Sequence, residues 1–260
     1  MPTSLTESAI VTRLRAAGCV FAEDEARLIL ATARDAGDAS AMVERRAAGL
    51  PLEHVLGWAE FCGLRIAVEP GVFVPRRRTE FLVRRAAALA PPRPVVLDLC
   101  CGSGALGAAL VSGLDGCTLH AADIEPAAVR CARRNIAPFG GRAHEGDLFA
   151  PLPAALRGRV DVLLANVPYV PTGEVALMPA EARDHEPRVA LDGGPDGLDV
   201  LRRVAAQAPR WLAPGGRLLF ETSERQLPAA VAAARRGGLT ATVETCEESH
   251  ATVVIAAKPV

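Results

Sequence analysis

Apolar residues in the first fifty positions recur at helical spacing. Ile10, Leu14 and Ala17 fall on one stripe, and Ala26, Ile29, Leu30 and Ala33 on another, the period expected when one face of each helix is buried. Gly18, Gly37 and Gly49 stand where such helices should stop. Pro51 begins a different texture. Residues 60–68 mix aromatic and β-branched positions around Gly63, as a short hairpin would. Residues 71–79, constrained by Pro70 and Pro75, read as a connecting loop. A helix over 80–89 follows, and Pro91, Pro92 and Pro94 form a stiff boundary.

Beyond that boundary strands and helices alternate. Strands are predicted over 95–99, 118–122, 142–145, 160–165, 217–221, 240–245 and 252–256. Helices are predicted over 105–111, from Pro126 in a favoured first-turn position, over 197–208 and over 226–236. Such alternation predicts an α/β fold, a mostly parallel sheet covered by helices on both faces. The last two strands have no helix between them and should pair as an antiparallel hairpin at one edge. Ligands of such sheets bind beyond the carboxyl ends of the strands, so functional residues are expected just after each strand.

The composition narrows the class. Half of the 260 residues are hydrophobic, enough for a full core. A net charge of −1 offers no general attraction to nucleic acid or an anionic membrane. Residues 1–8 are polar and lack the plan of a signal peptide, and no apolar run reaches membrane-spanning length. The seven cysteines are odd in number and without framework spacing, which suits a reducing, cytoplasmic setting. The five histidines are scattered, so no metal site is expected.

Candidate chemistry begins where the first strand of the alternating part ends. Asp98-Leu99-Cys100-Cys101-Gly102-Ser103-Gly104 leads into a helix, and its glycines allow a tight turn and a close ligand approach. Three readings fit: a plain turn, a dinucleotide site or an S-adenosylmethionine site. A dinucleotide places a pyrophosphate at this helix start, and the Asp98 carboxylate would repel it. A sulfonium and an ammonium are favoured by the same carboxylate. Asp123, ending the second strand, is placed to accept from ribose hydroxyls. Asp147, after the third, is placed to accept from an adenine amino group while Leu148 packs on the ring; a solvated turn is the plainer alternative there.

Asn166-Val167-Pro168-Tyr169 follows the fourth strand. Asn166 offers a side-chain carbonyl, Pro168 fixes φ and helps aim neighbouring carbonyls outward, and Tyr169 supplies a flat apolar face. Together they suit a planar NH2 group: two acceptors for its hydrogens and a ring against its π-face. An amide nitrogen becomes positive during methyl transfer, so fixed acceptors stabilise the transition state more than the ground state. No strong base is needed, because a protonated N-methyl amide loses its proton readily. The plain alternative is an Asn-x-Pro turn that only closes a strand.

The chain resembles the PrmC/HemK family of protein-(glutamine-N5) methyltransferases. The likeness lies in Pro51-Leu52-Glu53-His54-Val55-Leu56-Gly57, in Phe61-Cys62-Gly63-Leu64, in Phe73-Val74-Pro75-Arg76-Arg77-Arg78-Thr79-Glu80, in residues 190–198, in Glu221-Thr222 followed by Gln226, and in the turn at 166–169. The resemblance implies a class I S-adenosylmethionine-dependent methyltransferase, Rossmann-like with a seven-stranded sheet, plus a small N-terminal helical domain joined by a β-hairpin. The expected division is 1–50 helical substrate recognition, 51–79 linker and 80–260 methyltransferase. Expected cofactor contacts are Cys100, Cys101, Gly102, Ser103, Gly104, Asp123, Asp147, Leu148 and Asn166. Asn166, Val167, Pro168 and Tyr169 would meet a glutamine in the Gly-Gly-Gln loop of a peptide-release factor, and the enzyme is expected to be a monomer. Val167 stands where the family usually has proline, Cys100 and Cys101 where Gly-Thr or Gly-Cys is common, and Ser223 where it has glycine.

Three other functions fit the same residues, one of them methylation of a small-molecule amide. An adenine-N6 methyltransferase on DNA or RNA also takes a planar NH2, but must flip the base and grip phosphates. Arg76, Arg77, Arg78, Arg84 and Arg85 are the candidates for that grip, and the near-neutral charge opposes it. A non-catalytic cofactor-binding module would need neither Asn166 nor Tyr169.

Overall fold

The computed structural model describes residues 6–260; the first five of the polar opening residues lie outside it. Three helices come first: α1 (Glu7–Ala16), α2 (Ala22–Thr32) and α3 (Ala36–Ala47). Thr6 caps α1 through Oγ1, and Asp35 caps α3 by accepting from the Asp38 amide at 2.8 Å, each satisfying an orphan N–H of a first turn. Gly37 therefore lies inside the first turn of α3 and stops nothing; the break is made by Ala33 in extended conformation and by the Asp35 cap.

Ile10, Leu14, Ala26, Ile29 and Val43 close a small core of their own. That core also takes in Val55 and Leu56 of a short helix α4 (Leu52–Leu56), so helical packing runs past Gly49. Within it Arg46 and Glu25 are both about nine-tenths buried, with Arg46 Nε 2.6 Å from Glu25. Arg46 also reaches Glu181 at 2.6 Å, which ties the helices to a segment discussed below.

The hairpin β1 (Trp58–Phe61) and β2 (Leu64–Ala67) pairs antiparallel, turning through Cys62 and Gly63, both at positive φ. Phe61, fully buried, and Ile66 pack on the larger core. Asn135 donates to the Ala67 and Ser103 carbonyls at 2.9 and 2.8 Å, joining the hairpin to the glycine turn.

After α5 (Glu80–Leu89) come β3 (Val95–Leu99), α6 (Ala105–Ser112), β4 (Thr118–Asp123), α7 (Pro126–Ile136), β5 (Arg142–Glu145), β6 (Val160–Ala165), α8 (Ala180–His185), α9 (Arg188–Leu191), α10 (Asp199–Gln207), β7 (Leu212–Glu221), α11 (Leu227–Arg236), β8 (Thr240–Cys246) and β9 (Ala251–Ala257). The seven strands β3–β9 lie in the order β5-β4-β3-β6-β7-β9-β8. β3 to β7 are parallel, and β9 pairs antiparallel with both β7 and β8. β5 forms one edge and β8 the other; on β8 Val243 stays exposed while Val253 and Val254 of the inner strand β9 are buried. This is the class I methyltransferase fold.

Helix faces follow from burial. On α10 the buried Leu201, Val204 and Ala205 form one stripe, as an amphipathic surface helix requires. On α6 residues 105–111 are buried all round, because it is covered on both flanks by α5 and α7 as well as by the sheet. β7 begins five residues before its predicted start. Gly215-Gly216 reads as a turn, yet a Cβ at Gly216 would come within 2.6 Å of the Val160 carbonyl, so glycine is what allows the strand to extend there. Helices α8 and α9 were not legible: each is short and is preceded by a proline, Pro179 and Pro187.

Candidate active site

The chain runs from β3 outward to β4 and β5, then returns to the other side of β3 with β6. At such a switch point the loops leave in opposite directions and open a crevice. A cleft opens there, beyond the carboxyl ends of the strands, where ligands of such sheets bind. Its walls come from the carboxyl ends of four strands: Cys100 and Gly102 after β3, Asp123 and Ile124 at β4, Asp147 and Leu148 after β5, and Asn166 and Pro168 after β6.

The glycine turn is held by nearby backbone. The Gly104 amide donates to the Cys101 carbonyl at 2.7 Å and the Cys101 amide to the Ala122 carbonyl at 3.2 Å. Cys100, Gly102 and Gly104 all have positive φ; for Cys100 this left-handed conformation costs roughly 1 kcal/mol that glycine would avoid. Of the residues expected to touch the cofactor, Cys101 and Ser103 are buried behind the turn. Gly104 packs where a Cβ would meet Ala132 at 3.1 Å. These three shape the turn without lining the cleft.

Asp98 is also behind it. Only 1% exposed, it accepts from the Gly107 amide at 2.8 Å through Oδ2, while Oδ1 is buried with no partner. Burial pushes its pKa up to about 8, the Gly107 hydrogen bond opposing and Asp123 assisting. The carboxyl is thus mostly neutral at pH 7, and it acts on the cleft across the turn rather than by contact. Asp123, by contrast, faces the cleft. Its two oxygens accept from the Gly102 amide at 2.8 Å and the Glu125 amide at 2.9 Å, and burial raises its pKa against those bonds. Each oxygen keeps a lone pair for a hydroxyl.

Asp147 reaches the rim, where its side chain is about half exposed and pairs with Arg203. The adenine contact expected of it therefore competes with an ion pair. Leu148, 6% exposed and at positive φ, forms apolar wall. Sequence reasoning missed several walls: Phe73 from the loop after the hairpin, Ile124, and Pro187, Val189 and Ala190 from the segment around α9. Phe73 sits in the motif Phe-Val-Pro-Arg, a signal that pointed to the loop without showing where it folds. Glu186 fixes both approaches, accepting from the Val74 amide at 3.0 Å and pairing with Arg76 at 2.7 Å.

At the end of β6, Asn166 is half-buried on the cleft wall, and no described residue hydrogen-bonds its side-chain amide. Val167 does something other than expected. Its side chain is 3% exposed and packs in the core with Leu198 and Leu201, so only its main chain can face a substrate. Tyr169 is half-buried and lies beyond the walls of the cofactor cleft. The Arg78 guanidinium stands over its ring, 5.7 Å from the centroid, a cation–π contact. Arg78 is held by Glu221, 2.6 Å away, and Thr79 donates to the same carboxylate at 2.8 Å.

Three more arginines of that stretch are engaged: Arg76 with Glu186, Arg84 with Glu80 at 3.9 Å and Arg85 with Glu244. Among the described residues no group of three or more His, Cys, Asp or Glu could hold a metal ion. No helix of the described residues is long and apolar enough to cross a membrane.

The fold and its strand-end cleft define a class I methyltransferase, and residues 63–182 match the Methyltransferase small domain family. The chain is 42% identical over 182 residues to the release factor glutamine methyltransferase of Geobacter sulfurreducens, covering 69% of this chain and 63% of that protein. It is 34% identical over 240 residues to that of Bradyrhizobium diazoefficiens, covering 84% and 81%. A 4-amino-L-phenylalanine/4-methylamino-L-phenylalanine methyltransferase of Streptomyces pristinaespiralis is 36% identical over 222 residues, covering 82% and 75%. The chain belongs to the release factor glutamine methyltransferase family, PrmC/HemK. Against the G. sulfurreducens relative the match spans less than two thirds of that protein's length.

S-adenosylmethionine is the cofactor of this domain, and the residues fit it. Asp123 offers acceptors for a ribose, and Ile124 and Leu148 offer apolar walls for a purine. The Asp123 carboxylate on the cleft wall suits a ligand with a positive centre, and Asp98, raised to about 8 by burial, adds a second charge only where it ionises.

Proposed function

We propose that this protein transfers a methyl group from S-adenosylmethionine to the side-chain nitrogen of a protein glutamine, in the Gly-Gly-Gln loop of a peptide-release factor. The observation that carries the reading is the free Asn166 amide on the wall shared by the cofactor cleft and the Pro168-Tyr169 turn. When bound, the cofactor supplies an electrophilic methyl group on a sulfonium. Asn166 Oδ1 accepts one hydrogen of the substrate amide, a backbone carbonyl of the turn accepts the other, and the Tyr169 ring packs against the amide plane. As the nitrogen turns positive its hydrogens bind those acceptors more strongly, which lowers the barrier. The excess proton leaves to water.

In this reading residues 1–50 recognise the partner, 51–79 link, 80–260 bind the cofactor, and the enzyme works as a cytoplasmic monomer. All seven cysteines are free, which suits a reducing compartment. An adenine substrate is not favoured: four of the five arginines that would grip phosphate are paired with carboxylates. A second reading does have support. The S. pristinaespiralis relative, whose name gives an aromatic amine as substrate, aligns with 82% of this chain, about as much as the B. diazoefficiens release factor glutamine methyltransferase with 84%, and an arylamine also carries an NH2 group conjugated with a planar system.

Mass spectrometry decides between them. Release factors incubated with the protein and labelled cofactor should gain one methyl group on the glutamine of the Gly-Gly-Gln peptide. Unmodified release factors, with methylated 4-aminophenylalanine in a parallel reaction, would overturn the first reading in favour of the second.

A further inference from the structure

Every strand-end turn that carries chemistry must be held still, and the turn at 166–169 is not held by its own residues. Val167 leaves φ and an N–H free where a proline would fix both. The hydrogen bonds that grip the segment come from two distant stretches. Gln226, at the start of α11 and only 6% exposed, donates through Nε2 to the Tyr169 carbonyl at 2.8 Å and to the Asp196 carbonyl at 2.9 Å. The Ser223 hydroxyl donates to Gln226 Oε1 at 2.6 Å, which fixes the amide so that its NH2 faces both carbonyls. Next in the chain, Val170 exchanges hydrogen bonds with the glycine loop: its amide donates to Leu191 at 3.0 Å and its carbonyl accepts from Gly193 at 2.8 Å.

The glycine loop at 192–198 lies so close that side chains are excluded. A Cβ at Gly197 would come within 2.2 Å of the Tyr169 carbonyl and 2.3 Å of Gln226 Nε2, and one at Gly193 within 2.7 Å of the Pro168 carbonyl. Three separate observations therefore converge on the main chain of Pro168 and Tyr169: a two-armed donor, a serine that orients it, and a loop fitted against both.

We propose that Gln226, oriented by Ser223, is a positioning residue: it clamps the Tyr169 peptide against the 192–198 loop and so sets the carbonyl and ring that receive the substrate nitrogen. Ser223 thereby makes up for the rigidity that Val167 lacks. The inference rests on the proposed glutamine chemistry for its kinetic consequences, but not for its structural one. Gln226 touches no reacting atom. Its loss should act on rate rather than on binding, because a misplacement of ~1 Å at a reacting centre costs about a hundredfold.

Tyr169 is the only tyrosine in the chain, so 3-fluorotyrosine incorporation places a single fluorine on the turn. The labelled protein should give one narrow resonance. Gln226→Leu, and Gln226→Glu, which keeps the size but removes both donors, should broaden or split it. Ser223→Gly should do so to a smaller degree, while Ser223→Thr, which keeps the hydroxyl, should resemble the unsubstituted protein. In methyl transfer to a Gly-Gly-Gln peptide, Gln226→Leu should lower kcat by about ten- to a hundredfold, with KM and cofactor affinity little changed. An unaltered resonance in Gln226→Leu overturns the clamp. So does a fall of kcat, cofactor affinity and Tm all together, the mark of a merely structural residue. If the unsubstituted protein methylates no glutamine peptide, the substrate reading falls while the fluorine spectra still decide the clamp.

Discussion

At the carboxyl ends of β3 and β6, paired side by side in the sheet, two turns face one cleft and are built in opposite ways. The turn after β3 is held by backbone atoms within a few residues and by the end of the adjacent strand β4. Its positive-φ residues give the path of the chain, and the path itself shapes the ligand surface. The turn after β6 has one fixed φ, at Pro168, and takes the rest of its order from far away: Arg78 over the tyrosine ring, Gln226 on its carbonyl, the glycine loop beneath. A cofactor common to many enzymes can be bound by a locally specified turn. A surface that must fit a particular nitrogen is assembled from pieces that only the folded chain brings together, so its precision can be tuned without disturbing the cofactor.

Breaking the second turn should cost rate, and breaking the first should cost cofactor affinity. The largest effect is expected for Asn166→Ala. Loss of one transition-state acceptor should lower methyl transfer by about a hundredfold, with cofactor affinity by calorimetry near that of the unsubstituted protein. Equal losses in both would dissolve the distinction between the turns. Asp123→Ala should do the reverse. Removing a charged acceptor should weaken cofactor binding by about tenfold, while the rate at saturating cofactor survives; a low rate at saturation would contradict it.

A smaller effect sharpens the comparison through pH. The Asp98 carboxyl, pushed up to about 8 by burial, is neutral below that pH and anionic above it. A positively charged ligand favours the anion and lowers its pKa, so binding releases a proton. Affinity for S-adenosylmethionine should therefore rise as pH climbs toward about 8 and level off beyond. The change should be only severalfold, because Asp98 acts across the turn. Asp98→Asn should flatten the profile. S-adenosylhomocysteine, lacking the sulfonium charge, should show a weaker slope in calorimetry run at several pH values.

The elements that the chain announces most clearly are those with strong periodicity and clean punctuation. The helix at 80–89 and the strands at 95–99 and 160–165 occur where the pattern of apolar residues places them, and the polar strand at 142–145 occurs where the alternation of strands and helices calls for one. Short helices flanked by proline did not announce themselves, because four to six residues are too few to show a period. Their position mattered: the segment around α9 supplies Pro187, Val189 and Ala190 to the cleft. Several individual side chains were misplaced for a related reason. Cys101, Ser103 and Val167 lie in motifs that face the ligand, but within a tight turn alternate side chains point back into the core.

Local sequence determined the strand ends, the glycine turn and the Asn-Val-Pro-Tyr tetrapeptide, since period, φ preference and donor inventory are properties of near neighbours. Tertiary structure alone decided that Asp98 is buried and raised in pKa, that Arg78, Glu221 and Gln226 converge on Tyr169, and that the loop bearing Phe73 joins the cleft. Those outcomes depend on burial and on contacts between residues distant in the chain, 57 positions apart for Gln226 and Tyr169 and 142 for Thr79 and Glu221, and no short window of sequence contains both partners.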